Sequence, residues 1–294
     1  MTPEECEKRD NASKKTTLPQ GLAAKLTGIA ASGATGRGPS SLCRDELWER
    51  AVHLIVEKKK IALVSGFYVP SVSAPETDGP SGSLVLARAL LRFGRETEVW
   101  TDGYCLECYK KCADVLGFPS ALVHDATSDE FRGTGVDLLI FVERLGRASD
   151  GAYYNMRRED ISAWTPPLDS LVGSTGAASI GIGDGGNEVG MGCLADELAE
   201  LMPEYAPCLC VVRTDICLPV DVSNWGAYAL ASALSSLSGV WLGSTSVEER
   251  LMLEALAASG AVDGVSRRRE ASVDGLPLER HVEMANLLKT AAGL

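Results

Sequence analysis

From residue 61 onward, short apolar runs alternate with stretches of helical periodicity, and this alternation limits the fold more than any other feature of the chain. IALVSGF (61–67), TEVWTD (97–102), ALVHD (121–125), VDLLIFVE (136–143), ASIGIGD (178–184) and CLCVVRTD (208–215) read as strands. Helical spacing occupies 83–94, 103–116, 194–202, 224–237, 247–259 and 277–292. A further amphipathic helix precedes the first strand, where Trp48, Val52, Ile55 and Val56 recur on one face. Several strands are apolar on both faces, which a parallel sheet covered by helices requires. The expected fold class is therefore α/β: a mainly parallel sheet with helices on both faces, a Rossmann-like three-layer sandwich. In such sheets ligands bind at the carboxyl ends of the strands.

Residues 1–40 are rich in Ser, Thr, Gly, Ala and Lys and show little periodicity, so they read as a flexible arm without catalytic residues. Residues 41–294 then form one domain. The net charge of -12 and a pI of about 4.8 argue against nucleic acid or an anionic membrane surface as partner. No apolar run approaches the ~20 residues of a bilayer span. MTPEECEKRD carries acids unfavourable to a presequence, so a cytoplasmic location is expected, with the mitochondrial matrix as the alternative. The nine cysteines are odd in number, in a chain long enough to need no staples, and are expected to be reduced thiols.

The strongest local signal is the loop from Gly181 to Gly192, GIGDGGNEVGMG. Its glycines permit positive φ and close approach to a ligand, and a following helix would offer free N–H groups to an anion. Asp184, Asn187 and Glu188 add two acceptors and an amide. The plain alternative is a turn that only caps a helix. A second segment, ERLGRASDGAYYNMRREDI (143–161), follows the best strand and crowds Glu143, Arg144, Arg147, Asp150, Tyr154, Asn155 and Arg157 together. It is either a carboxylate-binding region or a solvated charged loop. ETDGPSG (76–82) and SNWGAY (223–228) add Thr77, Asp78, Gly79, Asn224 and Trp225. In VDGLPLERH (273–281), His281 reads as a surface or capping residue. The spacing of Cys105, Cys108 and Cys112 invites a metal reading, but i, i+3, i+7 positions form one buried helical face. Cys208 and Cys210 likewise share one face of a strand.

TDGPSG, ERLGRASDGAYYNMRREDI, GIGDGGNEVGMG, SNWGAYAL and VDGLP, in that order, resemble the D-glutamate cyclase-like C-terminal domain family over about residues 48–292. The resemblance implies conversion of D-glutamate to 5-oxo-D-proline and water. Full-length proteins of that architecture carry an additional preceding domain, so the expected partners are a small carboxylate substrate and either a separate chain with that domain or a second copy in a homo-oligomer. For that chemistry Arg144 or Arg147 would take the α-carboxylate, helped by backbone N–H groups of Gly185 and Gly186. Asp184 or Glu188 would accept the ammonium proton, and Glu143 would protonate the departing oxygen. Alternatively, Glu143, Asp184 and Glu188 would hold Mg²⁺ or Mn²⁺ through hard oxygen ligands. Two other classes stay open: an enzyme for a different small acid or phosphometabolite, and a non-catalytic binding domain that needs a partner.

Overall fold

The computed structural model describes residues 17–127 and 135–294. The strands are β1 (Lys60–Ser65), β2 (Tyr68–Val69), β3 (Ala74–Pro75), β4 (Glu96–Thr101), β5 (Val123–Asp125), β6 (Leu138–Val142), β7 (Ala178–Gly183), β8 (Ile216–Pro219), β9 (Ser272–Val273) and β10 (Leu276–Pro277). The helices are α1 (Leu22–Ala30), α2 (Asp45–Glu57), α3 (Pro80–Arg92), α4 (Leu106–Leu116), α5 (Ala195–Leu201), α6 (Ser223–Ser238), α7 (Ser246–Ala258) and α8 (Leu278–Ala291). Six strands make one parallel sheet in the order β5–β4–β1–β6–β7–β8. The chain works outward from β1 in one direction and then, from β6, in the other. At this reversal the connections after β1 and β6 diverge, which opens a crevice at their carboxyl ends.

Side chains alternate across the sheet and divide the core in two. Ile61, Leu63, Leu138, Ile140, Ile180 and Ile182 face the larger core, where Trp48, Leu84, Trp225, Met252 and Leu288 from the long helices meet them. Ala62, Val64, Leu139 and Phe141 face a smaller core closed by Leu168, Leu171, Leu198 and Leu209. Both faces are thus covered, as the apolar strands require. The second cover is a short helix, 3-10 turns and loops. Gly82 lets α3 and α6 touch at their N-termini, because a Cβ there would lie 2.6 Å from the Asn224 Cα. That contact places Asp78 beside Ser223.

Three expectations need correction. The flexible arm is not found in residues 17–40; its first 16 residues lie outside those described. Leu22, Leu26 and Ala30 recur every four residues and bury one face of α1 in the larger core, with Leu18. This sparse stripe is easily lost among the small residues around it. Next, the strand beside β7 is Ile216–Pro219 and not 208–215. The 208–215 run instead crosses the glycine loop, where the N–H groups of Gly190 and Gly192 donate to the Val212 carbonyl. Leu209, Cys210 and Val212 fill the smaller core, so composition alone imitates a sheet strand. Finally, His281 is fully buried, not superficial. Its Nδ1 accepts from Trp225 Nε1 at 3.0 Å, and burial pulls the imidazole down to about 4, so it stays neutral.

Cys108 and Cys112 are buried on α4 and Cys105 at its N-cap, and burial pushes the Cys108 thiol up to about 12. All described cysteines are free. Among the described residues no helix is long and apolar enough to cross a membrane.

One core acid sets an expected pH dependence. Glu249 is buried, accepts from Tyr228 Oη at 2.8 Å and Ser244 Oγ at 3.2 Å, and is raised by burial from 4.5 to about 7. The folded state therefore holds this proton more tightly than the unfolded chain. Its stabilising contribution is full below 4.5 and is lost as the pH rises toward about 7. Glu249→Gln is expected to flatten the fall of urea-unfolding free energy across that window. An unchanged slope would mean that Glu249 ionises normally.

Candidate active site

The chain turns after β1, β6, β7 and β8 bring one set of acids to the crevice. Thr77, Asp78 and Gly79 lead into α3, Glu143 follows β6, Asp184 follows β7, and Ser223 opens α6 after β8. The segment before β9 and the β9–β10 turn, with Gly264 and Asp274, form the opposing wall. Between them lies a cavity of about 300 Å³ whose lining includes Glu76, Glu143, Asp184, Glu188 and Asp274. That size suits a small metabolite. Another cavity, about 400 Å³, lies at the amino ends of β1 and β4 beside Lys60 and Glu96, away from these converging acids.

Ser223 ties the acids together. Its N–H donates to Asp78 Oδ2 at 2.9 Å and Asp184 Oδ2 at 3.1 Å, and its hydroxyl donates to Glu143 Oε2 at 2.6 Å. Asn224 N–H donates to Asp78 Oδ1 at 2.9 Å. These donors are the unpaired N–H groups of the first turn of α6, whose dipole favours negative charge. Glu143 and Asp274 both sit at positive φ, 46° and 57°, which non-glycine residues rarely adopt. Such strain, of order 1–3 kcal/mol, persists where the surroundings impose it and concentrates at functional sites.

Burial raises all three central acids. Burial, followed by Asp184, Glu188, Asp78 and Glu76, pushes the Glu143 carboxyl well above the ordinary range. Burial and then Asp274 raise Asp78 to about 7. Burial also raises Asp184, opposed by the guanidinium of Arg37. Arg37 Nη1 contacts Asp184 Oδ1 at 2.5 Å, and Nη2 contacts Asp274 Oδ1. Desolvation opposes its charge, but Asp184 and Asp274 overcome this and hold Arg37 protonated. Glu143 and Asp184 are thus both raised, and what distinguishes them is the Arg37 guanidinium on Asp184 alone, the kind of unequal environment on which acid–base chemistry draws.

The glycine loop has a different role from the one expected. Glu188 folds back and accepts from the N–H groups of Asp184, Gly185 and Gly186 at 3.2, 2.7 and 2.9 Å. The Gly185 and Gly186 donors are thus engaged by a side chain in this structure. The helix after the loop spans Ala195–Leu201, as the spacing over 194–202 predicts, and a 3-10 turn at Gly192–Leu194 separates it from the loop. The glycines serve packing: a Cβ on Gly181 would lie 2.1 Å from the Val189 carbonyl oxygen. Glu188 is accordingly a scaffold for Asp184. Glu188→Gln would present an amide to three N–H donors, and a loss of about 1–3 kcal/mol is expected in denaturant unfolding. Unchanged stability would return Glu188 to the groups free for chemistry.

Other expected site residues separate by location. Arg144 is buried and bound to Asp102 Oδ2 at 2.5 Å, Gly66 O at 3.0 Å and Pro166 O at 2.6 Å, so it braces the crevice from below. Arg147 pairs with Asp169 at 2.7 Å, and Asp150 accepts from Tyr154 Oη at 2.6 Å; none of these four side chains lines the cavity. Asn155, Arg157 and Asn187 do line it. Asn187 Nδ2 donates to the Tyr154 carbonyl, and Arg157 Nη2 donates to Gly264 O and Val265 O. Asn224 Oδ1 accepts from Gly79 N–H and Gly82 N–H, Thr77 Oγ1 donates to Ser272 O, and Trp225 is core. These three hold the acid-bearing turns.

Sequence reading missed Arg37, Glu76, Ser223 and Asp274 as site residues. Glu76 and Ser223 stood inside quoted motifs, and Asp274 inside VDGLP; only Arg37 lacked a local signal. The metal reading also changes. Asp78, Glu143 and Asp184 bring carboxylate oxygens within 4.8 Å of one another, whereas Glu188 is occupied by the loop. Hard oxygen donors of this kind fit Mg²⁺ or Mn²⁺, and Arg37 already lends Asp184 a cation.

A parallel sheet in this order, with an acid-lined cavity at its switch point, defines a doubly wound α/β domain. The chain belongs to the family described as D-glutamate cyclase-like, C-terminal, which it matches over residues 26–289. It is 28% identical to the mitochondrial D-glutamate cyclase of Homo sapiens across 84% of its own length and 48% of that protein's. The chain thus spans about half the length of this curated relative. A crystal structure of an exopolyphosphatase-related protein from Bacteroides fragilis aligns with a TM-score of 0.42 and 12% identity, over 86% of this chain and 58% of that one. A likeness at that level carries no argument about chemistry.

Proposed function

We propose that this domain binds D-glutamate in the acidic cavity and closes it to 5-oxo-D-proline and water. Family membership supports the substrate, and the placement of Glu143 beside the Arg37-paired Asp184, both bound to Ser223, carries the chemistry. In the reaction the substrate nitrogen bonds to its own side-chain carboxyl carbon, and one carbon–oxygen bond breaks. Two protons leave the ammonium, and both depart with that oxygen as water. A catalyst therefore needs groups that accept protons near the nitrogen and return them near the oxygen. Asp184, ion-paired with Arg37, takes the ammonium proton. Glu143, held protonated, donates to the departing oxygen. Asn155, Arg157 and Asn187 on the wall bind polar groups of the substrate, and confinement holds the bent conformer. If Mg²⁺ or Mn²⁺ is bound by Asp78, Glu143 and Asp184, it supplies Lewis-acid polarisation of the carboxyl.

The test is incubation of the purified chain with D-glutamate, with 5-oxo-D-proline separated by chiral chromatography, with and without EDTA. Turnover is expected, and Glu143→Gln is expected to lower it by about 10²-fold or more. No product from the wild type, or a full rate in the variant, would sink the assignment. A second reading is that this domain binds substrate but turns it over only with a partner, since the activity in the human relative's name belongs to a protein of which this chain matches 48%. D-glutamate binding without turnover would support that version.

A further inference from the structure

The cavity is proposed to take an anion, yet it gathers Glu76, Glu143, Asp184, Glu188 and Asp274. Its lining contains two cationic side chains, Arg37 and Arg157. Arg157 is exposed and already donates to the Gly264 and Val265 carbonyls. Arg37 is the inner one. It arrives from a segment distant in sequence, 147 residues before Asp184 and 237 before Asp274.

That segment is held by a dedicated anchor. Asp221, just beyond β8, accepts from Ser32 Oγ at 3.0 Å, Gly33 N–H at 3.1 Å and Ala34 N–H at 3.0 Å. Its own N–H donates to the Ala30 carbonyl at the end of α1 at 2.9 Å. Asp221 is buried and lies two residues before Ser223, so one turn anchors the strap and supplies the acids' N–H donors. The strap then carries Arg37 to the cavity wall, where its side chain is 21% exposed. Among the described residues, two of the five guanidinium N–H donors are used, one by Asp184 and one by Asp274. A guanidinium with donors to spare, facing a cavity, suits planar recognition of a carboxylate.

We infer that Arg37 is a ligand-binding residue: the strap Ser32–Gly38, anchored on Asp221, delivers a guanidinium that takes one carboxylate of a small acid in the cavity. Asp221 is then a positioning residue. This rests on the cavity being the ligand site, but not on D-glutamate being the ligand.

The test is calorimetric titration of the whole chain with D-glutamate, 5-oxo-D-proline, glutarate and inorganic phosphate, followed by Arg37→Gln, Arg37→Lys and Asp221→Asn. The wild type is expected to bind at least one of the small carboxylic acids. Arg37→Gln should weaken that affinity by about tenfold or more, and Arg37→Lys should recover part of it. Asp221→Asn should weaken binding less and, if D-glutamate is turned over, raise KM more than it lowers kcat. A merely structural Arg37 would lower the melting temperature and leave the affinity of folded protein unchanged, which overturns the inference. If Arg37→Gln does not fold, Arg37→Lys and Asp221→Asn decide, and wild-type affinity in both overturns it. A wild type that binds phosphate alone, or none of the four, also overturns it. Binding of glutarate through Arg37 without D-glutamate turnover would uphold the inference while the proposed reaction fails. Turnover with unchanged kcat/KM in Arg37→Gln would do the reverse.

Discussion

Asparagine in place of Asp184 is expected to lower D-glutamate turnover by about 10²–10⁴-fold, the usual cost of removing a general base. The substitution preserves shape and an oxygen acceptor for Ser223 N–H, which lies 3.1 Å from Asp184 Oδ2. It removes the capacity to take a proton and the charge that pairs with Arg37. Arg37 keeps Asp274 as its partner, so the loop and strap are expected to stay folded. Steady-state kinetics with the melting temperature measured in parallel separates chemistry from stability. A rate within a few-fold of wild type, in a folded variant, would remove Asp184 from the proton path and leave the cavity a binding site only.

Asp102→Asn is expected to cost about 3–5 kcal/mol of stability, because it strands a buried guanidinium. Arg144 and Asp102 side chains are 1% and 2% exposed, so little water remains to screen the charge left behind. The pair is also a brace. Asp102 follows β4, Arg144 follows β6, and the guanidinium reaches across the end of β1, where the Gly66 carbonyl accepts from it. Loss of the pair therefore loosens the crevice at which the site is built. Urea unfolding measures the change, and a neutral result would show that Arg144 has another counter-charge. It would also reopen Arg144 as a candidate for substrate binding.

The two variants probe residues that looked alike in the primary structure. Both Arg144 and Asp184 stood in charged motifs at strand ends, and their burial and partners separate them. Arg144 turns inward under the crevice, while Asp184 lines the cavity. Glu188 shows the same limit. Its place in a glycine loop is plain in the chain, but only folding shows its carboxylate consumed by three local N–H groups.

By itself the sequence determined the sheet class and most of its strands, because a strand buried on both faces must be apolar throughout. It also determined that the acids of Gly181–Gly192 and the segment after Glu143 stand at strand ends, since chain order in an alternating α/β pattern leaves them nowhere else. The tertiary structure decided which of these groups meet. Asp78, Glu143, Asp184 and Ser223 converge because parallel strands present their carboxyl ends together. Arg37 joins them because Asp221 captures a strap almost two hundred residues away, with |i−j| of 187 to 189. Periodicity registers short-range order along a chain. An ion pair between segments this distant leaves no periodic trace, and so the cation of an acidic site became visible only once the chain was folded.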